Sequence, residues 1–423
     1  MSLKNLNETI SPAFTEKSIH EMLLNKGELK KIKHFKIDID QNNQSKKGDS
    51  YLSTICKFSI IASGENNNGE NADVTLPVIV KSFPKNIARQ KTFRSPDFFK
   101  TEIDFYRQVW PAMKEFKLRK IANEKDEIPL YLSSYCDGQN DFLALEDLSC
   151  QGFKAAGRVE NFSLESIRVF LTTLAKFHAL SLALKQNNPE FVELAKGLAE
   201  SYFSEKFRPW YENFMYKSMG PQYMEAAKAL LPEKYCEKLQ KLFSTDFFGD
   251  LCKACKVDNK YCVITQGDAW LPNFLSNTSG GELTCVLIDF QLARYATFTN
   301  DLIHFLYCGV PSDMLLAEWD NLIEHYHRIL MSRFEELGGS KDYITLDEMT
   351  ECLKTHALVG VLMALESSVM AILSDDEVAD IDLLQGEDAV PLEDVWILPK
   401  FNKDRNEKLA FIVKHCVDKG YIP

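Results

Sequence analysis

The stretch from Cys262 to Leu306 constrains this chain most. It reads Cys-Val-Ile-Thr-Gln-Gly-Asp-Ala-Trp-Leu-Pro-Asn-Phe-Leu, passes a polar break, and resumes as Cys-Val-Leu-Ile-Asp-Phe-Gln. Two short apolar runs, Val263 to Thr265 and Leu283 to Ile288, have the length of buried strands. Each delivers a carboxylate, Asp268 and Asp289, at or just past its end, and Asn277-Thr-Ser-Gly-Gly281 between them predicts a hairpin-like turn. Asp and Asn also cap turns for local reasons alone. A strand before each of two acids is more than local turn chemistry requires.

Asp268 is followed, after four intervening residues, by Asn273. That spacing suits phosphoryl transfer, where one carboxylate orients and deprotonates the attacking hydroxyl while an amide oxygen and a second carboxylate hold magnesium against the nucleotide phosphates. Asp268, Asn273 and Asp289 supply that set, so the reading is Asp268 as catalytic acid-base group and Asn273 and Asp289 as metal ligands.

The upstream third predicts a small sheet. Thr15 to Asn25 reads as a helix capped by Thr15 and stopped by Gly27. Phe35, Ile37 and Ile39 alternate with charged residues as a half-buried strand, and a second strand runs from about Tyr51 to Ile61. The Gly48-Asp49-Ser50-Tyr51 turn between them falls where a nucleotide-covering loop belongs, although one Gly between strands is more often an ordinary hairpin. Gly64 to Asp73 reads as a disordered Gly/Asn segment. Thr75-Leu-Pro-Val-Ile-Val-Lys81 is then an apolar strand ending in a lysine, the placement of a phosphate-binding lysine.

A helix starting at Ser95-Pro96 puts Glu102 on one face with Phe98, Phe105 and Val109. A carboxylate in an apolar stripe is costly unless paired, and Lys81 is the nearest upstream partner. Ile128 to Leu132 and Phe142 to Leu145 read as further strands. Glu146-Asp147-Leu148 after them is the expected hinge, where backbone groups hold the nucleotide base.

From Ser163 the pattern becomes helical. His178 lies on a broad apolar face and reads as a hydrogen-bonded core histidine rather than a catalyst. Asp301 opens a helix soon after Asp289, and capping, bracing the loop or touching ligand all remain open for it. No Ala-Pro-Glu follows Asp289 and no activation segment intervenes, which argues against a protein kinase. The acidic run Ser374 to Asp394 reads as a solvated loop, with a substrate-selecting lid as the alternative.

The 423 residues suit two domains, placed at 1–147 and 148–423. A net charge of −12 argues against general affinity for nucleic acid or anionic membrane. The N-terminus lacks the apolar run of a signal peptide, so the expected location is the cytoplasm, with the eleven cysteines as thiols. A lone Cys252-x-x-Cys255 with no second pair is a poor zinc site. Ala357 to Leu373 is apolar, but Glu366 interrupts it and its uncharged part is too short to span a bilayer, so it reads as a buried helix. No obligate protein partner is implied.

With these residues in hand, the chain resembles the ecdysteroid-kinase-like family, relatives of choline kinases and aminoglycoside phosphotransferases, from about Leu29 to the C-terminal helices. The resemblance rests on Gly48-Asp-Ser-Tyr-Leu-Ser, the Lys81 strand, Glu102-Ile-Asp-Phe-Tyr, Leu145-Glu-Asp-Leu, Ala175-Lys-Phe-His-Ala-Leu-Ser, Gly267-Asp-Ala-Trp-Leu-Pro-Asn and Ile288-Asp-Phe-Gln with Asp301-Leu. It implies an α+β, bilobal, protein-kinase-like fold with a small, mainly antiparallel N-lobe and a large helical C-lobe. It implies ATP and Mg2+ as cofactors, Lys81 on the phosphates with Glu102 positioning it, and Gly48, Ser50, Tyr51, Ile79, Glu146 and Leu148 around the nucleotide. The acceptor it implies is a hydroxylated small molecule, an ecdysteroid or another lipophilic alcohol or phenol, with a choline-like alcohol as the alternative. The family usually has His before Gly-Asp, whereas this chain has Gln266, which also raises a catalytically idle binding protein. A Gln amide can still donate and accept as a brace.

Overall fold

The computed structural model describes residues 3–38, 52–122, 124–158 and 160–422. The chain forms two compact units: residues 1–106, 128–153 and 380–390 in the first, and 107–127, 154–379 and 391–423 in the second. It enters each unit more than once, where the sequence reading has a single boundary at 147/148.

The first unit is built on a five-stranded antiparallel sheet of order β1-β2-β3-β5-β4, with β1 Lys31–Asp38, β2 Thr54–Glu65, β3 Asn71–Ser82, β4 Tyr131–Tyr135 and β5 Phe142–Glu146. Strand alternation sorts β3 into two faces. Val74, Leu76, Val78 and Val80 are buried in a cluster with Phe58, Ile60 and Phe142 and with Ile19, Met22 and Leu23 of the helix Glu16–Lys26, while Ile79 and Lys81 point to the other face. That helix stops at Gly27 in the left-handed conformation, φ 79°, as its sequence predicts.

Two expectations change here. Gly64 to Asp73 is no disordered segment: β2 and β3 run through its ends in register, Glu65 opposite Asn71, and the turn between is closed by Asn66, whose Oδ1 accepts from the Asn68 and Glu70 amides. The fourth strand starts at Tyr131 rather than Ile128, because Pro129 supplies no ladder N–H.

The second unit is mainly helical. Its central helix, Leu164–Asn187, is capped by Ser163, whose hydroxyl accepts from Ser166 N. It is the one described helix long and apolar enough by composition to cross a bilayer, and its apolar residues are buried inside the unit. A two-stranded ladder pairs β7 Cys262–Thr265 with β10 Arg294–Thr297, and a three-stranded sheet of order β6-β8-β9 carries β6 Lys154–Ala155, β8 Phe274–Asn277 and β9 Thr284–Leu287. β8 and β9 form the hairpin expected around residues 277–281.

The helices Thr299–Gly309 and Leu358–Ala371 pack closely enough that a Cβ on Gly360 would lie 2.7 Å from the Asn300 carbonyl oxygen. The acidic run is partly tied down rather than simply solvated. Arg405 holds Glu377 through two hydrogen bonds of 2.9 and 2.8 Å, and in the first unit Arg89 reaches Asp382 at 2.6 Å.

His304, buried on the Thr299–Gly309 helix, meets Ser367 Oγ through Nε2 at 2.8 Å. Burial pushes its pKa from 6.5 down to about 3, so the folded protein keeps it neutral while the unfolded chain protonates near 6.5. With the folded value below the unfolded one, stability is intact above pH 6.5 and is withdrawn as pH falls toward 3. The unfolding free energy from urea titrations should therefore drop between pH 6.5 and 4 by on the order of 1 kcal/mol per pH unit. The slope should be shallower in His304→Gln and should not vanish, because burial lowers His415 to about 4 by the same mechanism. A slope unchanged by the substitution would remove His304 from this role.

Candidate active site

The first unit contributes a lysine and its keeper. Lys81 stands on β3 opposite Ile55 of β2 and Leu143 of β5, so its backbone is fixed on both sides. Glu102 lies on the Ser95–Asp104 helix, whose second residue is Pro96, and is almost fully buried. Lys81 Nζ reaches both of its carboxylate oxygens, at 2.8 and 3.0 Å. The predicted pair is therefore present, and it removes the cost of a carboxylate in an apolar stripe. Ile79 shares the sheet face of Lys81. Glu146 ends β5, ion-paired to Lys26 at 3.0 Å, and Leu148 begins the next turn. Gly48, Ser50 and Tyr51 lie outside the described residues.

The second unit contributes the acids. β7 ends at Thr265 and the chain turns through Gln266 and Gly267 to present Asp268. Gly267 has φ 88° and sits against the Leu292 backbone, where a Cβ would fall 1.9 Å from the carbonyl oxygen, so only glycine fits. Asn273 closes the loop: its Nδ2 donates to the Asp268 carbonyl at 2.9 Å and to Asp268 Oδ2 at 3.0 Å, which leaves its own side-chain oxygen as the group to offer a cation. Asp289 follows β9 with φ 64°, a left-handed conformation uncommon for a residue with a side chain. Burial first, then the neighbouring charges of Asp289 and Glu366, push Asp268 up to about 8.

Three side chains hold this loop. The buried Asp301 carboxylate accepts from Gln266 N at 2.6 Å and Gly267 N at 2.9 Å, and pairs with His178 Nε2 at 3.0 Å, while His178 Nδ1 meets the Tyr326 hydroxyl at 2.6 Å. Asp301 thus braces the loop, and His178 is the hydrogen-bonded core histidine its sequence suggests. Gln266 is the third brace. Its Nε2 donates to the carbonyls of Ile288 and Asp289, both at 2.8 Å, and its Oε1 accepts from Asp268 N at 2.7 Å. One amide thereby ties the backbones of the two acids together and fixes the unusual conformation at Asp289.

Sequence reading missed one neighbour. In the sequence Glu366 is only a charge interrupting an apolar helix; in the structure it accepts from the Tyr202 hydroxyl at 2.7 Å and the Tyr211 hydroxyl at 2.6 Å, and its charge is felt at Asp268. The rule that exposed Glu102, a carboxylate in an apolar run needing partners, applies to it equally.

A strand lysine paired to a helix glutamate, and a braced Asp-x4-Asn loop followed by a second strand-end Asp, define a kinase of small molecules in a protein-kinase-like α+β fold. The chain belongs to the ecdysteroid kinase-like family, whose model matches residues 47–339. A search of curated proteins finds no match. Among solved structures, the chain is similar to an ethanolamine kinase of Plasmodium vivax (10% identity, TM-score 0.39, covering 99% of this chain and 96% of that one). It is also similar to a microcompartment-associated aminopropanol kinase (12%, 0.42, 96% and 99%) and to the GDP complex of aminoglycoside 2'-phosphotransferase-IIIa (13%, 0.35, 84% and 98%). At these scores the family match carries the assignment.

If Gln266 braces the loop as its three hydrogen bonds indicate, Gln266→Leu should lower kcat roughly 10- to 100-fold, with the nucleotide KM little changed, because it strands two carbonyls and one amide. Gln266→His, able to donate and accept once each, should recover most of that loss. Steady-state kinetics on both variants decides it, and equal activity of Gln266→Leu and the parent would exclude the role.

Proposed function

We propose that this protein is an ATP-dependent, Mg2+-assisted phosphotransferase that phosphorylates a hydroxyl of a small molecule, with an ecdysteroid or another hydroxylated lipophilic compound as acceptor. The observation that supports it most is the organised loop of the second unit, where Asp268, Asn273 and Asp289 are fixed by Gln266 and Asp301. The Lys81–Glu102 pair of the first unit supplies the second half of the required set.

The donor set suits magnesium. The Asp289 carboxylate and the Asn273 amide oxygen are hard ligands, few enough to leave room for water and phosphate oxygens, which is how magnesium is usually held. Asp268 is raised first by burial and then by the charge of Asp289, and a divalent cation would offset the second of these. When bound, magnesium would neutralise charge on the nucleotide phosphates.

In this reading Lys81 binds the phosphates and Glu102 keeps it in its rotamer. Asp289 and Asn273 hold the cation, and Asp268 orients the acceptor hydroxyl and accepts its proton. The departure from His at position 266 supports an idle binding protein less than it first suggests, since Gln266 makes every contact a brace needs.

A second reading, a small amino alcohol of choline-like type as acceptor, is favoured by one feature. Glu366, held by the hydroxyls of Tyr202 and Tyr211, adds a third acidic group near Asp268, and a cluster of carboxylates suits an ammonium.

The purified protein should transfer phosphate from ATP with magnesium to at least one member of a panel of hydroxylated steroids, phenols and amino alcohols. Asp268→Asn should reduce that turnover by at least about a thousandfold while nucleotide binding, followed by calorimetry, persists. Failure to phosphorylate any acceptor at high enzyme concentration would favour the idle fold. Transfer to amino alcohols alone would select the second reading.

A further inference from the structure

The acidic run Ser374 to Asp394 is divided between the two units. It leaves the second after Ala379, contributes residues 380–390 to the first, and returns at Pro391. Within the first unit those residues are stitched along the short helix Ile87–Thr92. Asn86, which caps that helix, donates from Nδ2 to the carbonyls of Asp382 and Leu384 at 3.2 and 2.8 Å, and Thr92 Oγ1 accepts from Val390 N at 2.9 Å. Between these two anchors Arg89 Nη1 donates to Asp382 Oδ1 at 2.6 Å.

Arg89 faces two ways. Its Nη2 donates to the Ser53 carbonyl at 3.0 Å in a buried bond, and the residue is 5% exposed, whereas the Asp382 side chain is 72% exposed. Ser53 directly precedes β2, whose Thr54 and Ile55 lie opposite Ser82 and Lys81 of β3. The carbonyl before it, that of Leu52, accepts from Ser95 Oγ at 3.2 Å, at the start of the helix that carries Glu102. The end of β2 beside Lys81 is thus fastened by one hydroxyl and one guanidinium. Burial works against the charge of Arg89, and the Asp382 carboxylate offsets part of that cost. Without the carboxylate, a nearly buried cation gains by swinging to water, and Ser53 O loses its donor.

We propose that Arg89 is a positioning residue for the nucleotide, through which the docked segment 380–390 fixes the end of β2 beside Lys81. This rests on the phosphotransferase reading, in which Lys81 binds the nucleotide phosphates. An arginine suits the task because its planar fork can serve a carboxylate and a carbonyl at once, each from a different nitrogen, as it does here. The carboxylate is exposed and the guanidinium is not, so the contact can be removed from outside without opening the core.

The test is Asp382→Ala in the full chain, where the bonds from Asn86 and Thr92 to the backbone of the segment remain. Calorimetry with ADP and magnesium should show binding about five- to tenfold weaker than in the parent, with kcat at saturating ATP and the acceptor KM unchanged. Asp382→Glu keeps the carboxylate and should restore the affinity. Asp388→Ala, which removes the same charge from an exposed position of the same segment, should bind ADP as the parent does. Hydrogen exchange without nucleotide should be faster at residues 54–57 in Asp382→Ala and parental in Asp388→Ala. Equal ADP affinity in Asp382→Ala and the parent, or a loss shared by Asp388→Ala, would overturn the proposal, as would a lowered urea midpoint with affinity intact. A parent that binds no ADP would count against the phosphotransferase reading, whereas unchanged exchange at 54–57 would count against the Arg89 coupling alone.

Discussion

The arrangement of the second unit hangs on one buried carboxylate. Asp301 takes the backbone amides of Gln266 and Gly267 and the ring of His178, so the turn presenting Asp268 is suspended from the first turn of the Thr299–Gly309 helix. An ionised group this deep is tolerated only when its lone pairs are met, and here backbone and imidazole meet them. The dependence runs both ways: the loop needs the carboxylate to hold its shape, and the carboxylate needs the loop to be buried at all.

The same logic explains why the surroundings are so apolar. His178 is fixed by Tyr326, and the Thr299–Gly309 helix is locked through His304 to Ser367 on its neighbour, so each polar contact is embedded in a packed helical core. Rigid helices hold the braces, the braces hold a short irregular segment, and that segment carries Asp268 and Asn273. The left-handed backbone at Asp289 and the crowded Gly267 are conformational costs the surrounding hydrogen bonds offset.

Much of this was legible in the sequence because the determinants are local. Strand alternation placed Lys81, helical spacing put Glu102 among apolar neighbours, and burial cost then demanded that the two meet, as they do at 2.8 Å. Thr15 and Gly27 marked their helix ends because capping depends on a few adjacent residues. What failed depends on tertiary context. The turn closed by Asn66 looked like an unstructured Gly/Asn tract until strand register was known, and Ile128 lost its place in a strand to the proline beside it. The partners of Glu366 lie more than 150 residues away in sequence, so no local pattern names them, although its need for partners could be read.

Gln266 shows how a departure from a family pattern can preserve its mechanics while altering its electrostatics. Gln266 meets the Asp301 carboxylate through its backbone N–H and the backbones of Asp268 and Asp289 through its side chain, an acidic setting in which an imidazole would be drawn toward protonation. A protonated ring loses its acceptor, and with it the hydrogen bond that Asp268 N now makes to Oε1. The amide cannot titrate. It donates twice and accepts once at any pH, and it adds no positive charge beside the two acids that would attract a cation. The substitution therefore keeps the loop's geometry while leaving the negative field at Asp268 and Asp289 undiminished.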